Sequence, residues 1–222
     1  MEVRLLSHTT PSPRLLLEGI TTPLDLIVYC ARISNPDNQN NTLTSEKLLR
    51  YLIRNKHWSP LEMFDITLEI ETTRDIARQI LRHRSFSFQE FSQRYAYAHL
   101  GFEHREARLQ DPRNRQNSLP ASDPKLCLDW NDKQIEVMDT ARKAYDWAIL
   151  NGIAKEQART VLPEGMTLTR LYMKGSLRSW IHYVDLRTAP STQQEHRLVA
   201  ERAASVISIL IPNVFDMAKE AA

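Results

Sequence analysis

Glycine is scarce in this chain: five among 222 residues, at Gly19, Gly101, Gly152, Gly165 and Gly175. Neither the dinucleotide fingerprint G-x-G-x-x-G nor a Walker P-loop can be written with them. A phosphate bound here must be held by arginines, by hydroxyls or by helix N-termini, whose unpaired N–H groups and dipole favour an anion. Cysteine is scarcer still. Cys30 and Cys127 are too few for a disulfide framework and lack the clustering of a zinc site, which predicts reduced thiols. No apolar run approaches the roughly 20 residues of a membrane helix, and the opening MEVRLLSHTT lacks the uninterrupted apolar core of a signal peptide, so a cytoplasmic protein that meets no membrane is expected. A net charge of only +2 excludes a strongly basic nucleic-acid protein, although local arginine clusters can still bind small anions. What is present is ordinary for a folded protein. With 42% hydrophobic and 25% charged residues, the chain has enough apolar material to bury a core, and its length suits one domain over residues 1–222.

Val3–Ser7 and Leu15–Leu17 read as short strands about the turn-rich Thr9–Pro13. Thr22, Pro23 and Asp25 then supply an N-cap, a first-turn proline and a first-turn acid, and Leu24, Ile27, Val28 and Ala31 follow at helical spacing to about Ser34. Thr44-Ser45-Glu46 opens a second helix carrying Leu48, Leu49, Leu52 and Ile53, which His57–Pro60 breaks. From Phe64 to Glu71 apolar and polar residues alternate strictly, the pattern of a half-buried strand. Thr73 is placed to cap a helix with Ile76, Ala77, Ile80 and Leu81 on its buried stripe. Glu103–Pro124 reads as a long surface excursion. The remainder reads as mainly helical. Ile135, Met138, Ala141, Tyr145 and Ala148 form one face and Val199, Ala203, Val206 and Leu210 another, ended by Pro212. Weaker helical patterns cover Gln157–Leu162 and Leu168–Tyr183, interrupted at Pro163, Gly165 and Gly175. The sum is an α+β fold with a small central antiparallel or mixed sheet and several packed helices.

The densest polar segment is Arg82-His83-Arg84-Ser85-Phe86-Ser87-Phe88-Gln89-Glu90-Phe91-Ser92-Gln93-Arg94-Tyr95. Its phenylalanines suit a partly buried extended segment or a tight loop. Guanidinium forks match phosphate oxygens, serine hydroxyls donate to phosphoryl or carbonyl oxygens, and Glu90 can accept from a ribose hydroxyl or a base N–H. A bound nucleotide fits that set; so, from composition alone, does a plain solvated face.

This segment closely resembles the signature of the flavin-dependent thymidylate synthases, the ThyX family, R-H-R-x-x-S-x-N-x-x-S-x-R-Y. Arg82, His83, Arg84, Ser87, Ser92, Arg94 and Tyr95 match, and Gln89 stands where the family has asparagine. Three further stretches are similar to the family in the same order: His57-Trp58-Ser59-Pro60-Leu61-Glu62, Ala158-Arg159-Thr160-Val161-Leu162-Pro163, and Ser176-Leu177-Arg178-Ser179-Trp180 through Asp185-Leu186-Arg187. The resemblance runs from about Ala31 to Arg197. It implies a methyltransferase that converts dUMP to dTMP, taking the one-carbon unit from 5,10-methylenetetrahydrofolate and reducing equivalents from NADPH through bound FAD, in a homotetramer with its sites between subunits.

On matching positions the resemblance implies that Ser59, Arg82, His83, Arg84 and Glu90 contact the flavin, Arg82 and Glu90 being shared with the nucleotide. It places Gln79, Ser92, Gln93, Arg94 and Arg159 on dUMP, and Arg187 as the catalytic residue that contacts the uracil and favours its ionised form. Ser176 and His182 stand where the family often has asparagines beside the flavin; His182 is counted there together with the firmer Arg178. A guanidinium such as Arg187 stabilises negative charge on the ring oxygens and N3, which makes uracil carbon 5 nucleophilic.

No enzyme nucleophile is then required, because the flavin carries the redox step. Cys30 and Cys127 read as packing, and Ser92 has neither a sequence-adjacent base nor a G-x-S-x-G elbow. His57, His83, His99 and His104 come without an H-E-x-x-H or C-x-x-C pattern, so no metal is expected. Two other readings stay open. An arginine-rich nucleic-acid-binding module would use Arg82, Arg84, Arg94 and Arg105 with Phe86, Phe88 and Tyr95 as stacking surfaces, and an oligomerisation domain would pair its arginines with carboxylates across subunits.

Overall fold

The computed structural model describes residues 1–221. In chain order it holds β1 (Glu2–His8), α1 (Pro13–Leu17), α2 (Pro23–Ala31), α3 (Ser45–Arg54), β2 (Asp65–Thr73), α4 (Arg74–Ile80), β3 (Ser87–Glu90), β4 (Arg108–Gln110), β5 (Ser118–Pro120), α5 (Pro124–Leu150), α6 (Lys155–Ala158), β6 (Leu168–Ser176), α7 (Leu177–Arg187), α8 (Gln194–Leu210) and α9 (Val214–Glu220), with 3-10 turns at Pro36–Asn38, Ser59–Met63 and Arg159–Val161. The α+β expectation holds. Four strands form an antiparallel sheet in the order β1-β2-β6-β3, and β4 with β5 makes a separate hairpin inside the long excursion.

The alternation in β2 does what its period dictates. Ile66, Leu68 and Ile70 are fully buried against the helices, while the opposite face carries cross-strand ion pairs: Lys174 to Asp65 at 2.7 Å, Arg4 to Glu69 at 2.7 Å and, beyond Glu69, Arg170 to Glu71. Under the apolar face lie α7, α8 and α9, and Trp180 of α7 donates from Nε1 to the Ile66 carbonyl at 3.1 Å. Helix starts follow their cues. Thr22 Oγ1 accepts the Asp25 N–H at 3.1 Å, and Ser176 Oγ accepts the Ser179 N–H at 3.3 Å.

Several expectations are corrected. Leu15–Leu17 belongs to α1 and is not a strand, because extended Ser12 followed by Pro13 begins a helix and only Leu15 is buried. Leu168–Ser176 is not helical; it is β6, paired along its whole length with β2. Its buried phase reads Thr169, Leu171, Met173, Gly175, so threonine and glycine hide the alternation, and only from Leu177 does a helix begin. The α2 helix ends at Ala31 and reaches Ser34 only as turns. Thr73 starts α4 with extended backbone but makes no side-chain cap; its hydroxyl goes to the Asp75 carboxylate instead. Ile135 is 41% exposed, and Ile207 rather than Val206 is the buried position in α8.

Candidate functional site

Side-chain contacts join the segments that the sequence separates. Arg187 Nε donates to His83 Nε2 at 2.8 Å. Ser179 Oγ donates to the Ser85 carbonyl at 3.3 Å, Arg178 pairs with Glu62 at 2.6 Å, and the His182 ring stands edge-on to Trp58 with centroids 4.7 Å apart. At the far end of the signature, Arg94 lies 3.5 Å from Glu156 and Lys155 Nζ donates to the Tyr95 carbonyl at 3.1 Å. All four motif stretches or their immediate flanks are thus in contact.

The centre of this arrangement is half-buried and directional. Because the Arg187 N–H points at His83 Nε2, that nitrogen carries the lone pair and the imidazole proton sits on Nδ1. Burial first, and the Arg187 charge second, push the His83 pKa down to about 4, so the ring is neutral at pH 7. It packs edge-on to Tyr183 at 4.9 Å and lies 6.2 Å from His196. His196, fully buried, contacts Tyr183 Oη through Nε2 and Gln79 Oε1 through Nδ1, both at 3.2 Å. Its pKa is lowered to about 3, again chiefly by burial, and burial raises that of Tyr183. Arg187 has no carboxylate within 4.0 Å among the described residues, and its Nη groups make no hydrogen bond to them.

Around this centre the cations are exposed. Arg82 and Arg84 stand in solvent and pair with no acid among the described residues. A cleft of about 480 Å³ is lined by Ser85, Ser87, Lys174, Ser176, Arg178 and His182 together with Glu62 and Asp65. Ser59, exposed at the start of its 3-10 turn, follows Trp58 on the same side as His182. The His182 pKa is lowered, by burial and then by Arg178. Gly175 in the cleft is required by packing. A Cβ there would fall 2.6 Å from Cε1 of Phe86, whose ring lies against Trp180 and Tyr183.

The residues expected on the nucleotide divide. Glu90 faces inward from β3, accepting from Thr169 Oγ1 at 3.0 Å and Arg74 Nη1 at 3.4 Å, with Arg78 at 3.7 Å. Gln79 is half-buried and donates to Gln193 Oε1 at 2.7 Å. Ser92 is half-buried and Arg94 exposed, and Arg159 donates from Nε to the Glu156 carbonyl at 3.3 Å. Gln93 differs from its neighbours: its side chain is buried, with Nε2 unpartnered among the described residues.

Sequence reasoning passed over Arg74, Thr169, Tyr183 and His196. Arg74 had a readable signal. A cation in the first turn of a helix opposes the dipole, and at that place it calls for an acid, here Glu90. Tyr183 and His196 sit on helix stripes otherwise made of core residues and carry no comparable mark.

A family model for the thymidylate synthase complementing proteins matches residues 15–213. A flavin-dependent thymidylate synthase of Synechocystis is 50% identical over 96% of this chain and 97% of its own length. A probable flavin-dependent thymidylate synthase of Paramecium bursaria Chlorella virus 1 is 44% identical over 96% and 97%. Among solved structures, the UMP/dUMP methylase PolB from Streptomyces cacaoi, bound with 5-Br dUMP, superimposes with a TM-score of 0.82 at 25% identity, covering 99% of this chain and 94% of that one. These names speak for the enzyme reading and lend nothing to an arginine-rich nucleic-acid-binding module. By its sequence, its fold and the convergence of its motifs, the chain belongs to the flavin-dependent thymidylate synthases, a family of methyl-transferring enzymes.

Proposed function

We propose that this protein converts dUMP to dTMP, with 5,10-methylenetetrahydrofolate as one-carbon donor and NADPH as reductant through bound FAD. The observation that carries the reading is the contact of Arg187 with His83, which leaves a guanidinium without an acidic partner beside a neutral, tautomerically fixed imidazole. The donor set suits a dinucleotide: Arg82, Arg84, Arg178, Lys174 and the hydroxyls of Ser59, Ser85 and Ser87 offer charge and N–H or O–H groups to a diphosphate without any glycine-rich loop. His83 and His182 flank it, and Glu90, held by Thr169 and Arg74, is turned to accept from a ribose or base N–H.

When bound, FAD supplies the hydride chemistry. The chain's own residues bind and orient. Ser92, Arg94, Arg159, Gln79 and Gln93 hold the nucleotide, and Arg187 stabilises negative charge on the uracil ring. Its Nε–H is already spent on His83, so the side chain cannot swing away as charge develops. Glu90, shared between flavin and nucleotide, sets the spacing of the two.

Exposure of Ser59, Arg82, Arg84 and Arg178 on one chain agrees with sites completed by neighbouring copies in a homotetramer. Two free thiols suit a cytoplasmic, reducing setting, and we assign residues 1–222 to one catalytic domain. The test is direct. Purified protein shows a flavin absorption spectrum that NADPH bleaches, and with dUMP and methylenetetrahydrofolate it forms dTMP. A colourless protein that yields no dTMP after FAD is added overturns the proposal.

A further inference from the structure

A chain of side-chain hydrogen bonds runs through the protein from a carboxylate to a buried phenol. Gln193 Nε2 donates to Glu195 Oε2 at 2.9 Å, Gln79 Nε2 donates to Gln193 Oε1 at 2.7 Å, His196 Nδ1 meets Gln79 Oε1 at 3.2 Å, and His196 Nε2 meets Tyr183 Oη at 3.2 Å. Arg105, 3.4 Å from Glu195, stands beyond the acidic end.

Donor and acceptor rules give this chain one direction. A carboxylate only accepts, so Glu195 takes an N–H from Gln193 and turns the Gln193 oxygen toward Gln79. That oxygen takes an N–H from Gln79, whose own oxygen is thereby turned toward His196. His196 must carry its proton on Nδ1 to meet it, and its Nε2 then accepts the Tyr183 hydroxyl proton. Reversing either amide would set oxygen against oxygen, Gln193 against Glu195 or Gln79 against Gln193. The ring itself is neutral, consistent with the single proton this scheme gives it. Neither His196 nor Tyr183 has another polar side-chain partner among the described residues, and both are buried, so the pair's hydrogen bonds lead toward the nucleotide through Gln79, while its contact with the His83 ring is one of packing.

We propose that His196, backed by Tyr183 and set in polarity by Glu195, is a positioning residue that locks the Gln79 amide with its nitrogen end committed as donor, leaving the second N–H of that nitrogen for an oxygen of the pyrimidine nucleotide. The inference rests on the nucleotide role of Gln79 proposed above. An amide free to flip would offer its oxygen to the nucleotide half of the time, and a repulsive contact would replace an attractive one.

The experiment measures dUMP affinity by calorimetry on the flavin-loaded protein, in the starting chain and in a Gln79→Ala background. The Tyr183→Phe/His196→Leu pair removes both buried partners together, which avoids stranding a hydroxyl. It should weaken dUMP on the order of five- to tenfold, the worth of one neutral hydrogen bond, and leave the flavin spectrum and the melting temperature nearly unchanged. His196→Asn, which keeps an N–H where Nδ1 stood, should recover most of that loss. In the Gln79→Ala background the pair should cost nothing more, because the effect passes through Gln79. If the double variant does not fold, Tyr183→Phe alone decides, with a smaller loss that likewise vanishes in the Gln79→Ala background. Unchanged affinity in the pair while Gln79→Ala weakens dUMP overturns the lock, and so does an equal loss in both backgrounds. Unchanged affinity in Gln79→Ala itself overturns the nucleotide role of Gln79 instead.

Discussion

The inner and outer halves of the site are built on opposite rules. Tyr183 and His196 are buried, Gln79 and His83 half-buried, and each contact among them has one sense. Around Arg82 and Arg84, charge stands in water and pairs with no acid among the described residues. The inner half is oriented by protein contacts that leave over the Arg187 Nη groups and one Gln79 N–H, whereas the outer half carries charge with little internal pairing. Substitutions inside should therefore act through the orientation of Gln79 and Arg187, on dUMP affinity and turnover, and those outside on flavin binding and its dependence on salt.

The sharpest break in that contrast comes at their junction. Arg187→Ala should lower turnover by two to three orders of magnitude, about 3 kcal/mol of transition-state stabilisation, while the flavin spectrum stays intact. Steady-state dTMP formation decides, and a rate near that of the parent enzyme would remove Arg187 from the chemistry. Next comes Gly175→Ala. Its methyl group drives into Phe86, for an expected loss of about 2 kcal/mol and roughly 5 °C in melting temperature, with less flavin retained because the cleft floor shifts. A melting temperature equal to the parent's would show that Phe86 relocates freely.

Smaller, and confined to the inner half, is a dependence on pH. His83 and His196 titrate at about 4 and about 3 when folded and near 6.5 when unfolded. Below 6.5 the unfolded chain binds more protons, so the stability that these rings supply is full above 6.5 and is lost as pH falls toward 4 and then 3. Thermal melts between pH 7 and pH 4 should track this decline, and the Tyr183→Phe/His196→Leu chain should decline less steeply; parallel curves would deny His196 its share. Smallest is Arg178→Ala. Its ion pair with Glu62 is half-exposed on both sides, so stability should change by less than about 0.5 kcal/mol, whereas flavin binding weakens and grows less sensitive to salt. A large fall in melting temperature would move Arg178 from ligand binding to architecture.

How much of this was legible beforehand follows from which forces leave a mark in sequence. The β2 strand announced itself because one face is apolar and the other charged. Its partner β6 did not, since Thr169 and Gly175 occupy buried positions for reasons lying elsewhere: the threonine hydroxyl serves Glu90, and the glycine makes room for Phe86. The motif residues were legible as a set, and Arg82, Arg84 and Arg94 are exposed as charge rules require. Gln93 was expected to contact the nucleotide without distinction of side chain from backbone, and only packing reveals that its amide is turned inward. His196 was invisible because a buried histidine on a core stripe spells no pattern; its partners lie 13 and 117 residues away.

The shortness of β3 has a consequence for how the signature tolerates change. Its four residues alternate, with Phe88 and Glu90 turned in and Ser87 and Gln89 turned out, against a register fixed by β6. Within β3 parity decides that the carboxylate points inward, where Thr169 meets it. A slip of one residue in the pairing of β3 with β6 would keep every functional group of the motif and turn the whole row over: the acid would surface, Gln89 would enter its place, and Arg74 would face an amide. Spacing in this stretch is therefore as much a reagent as any side chain in it.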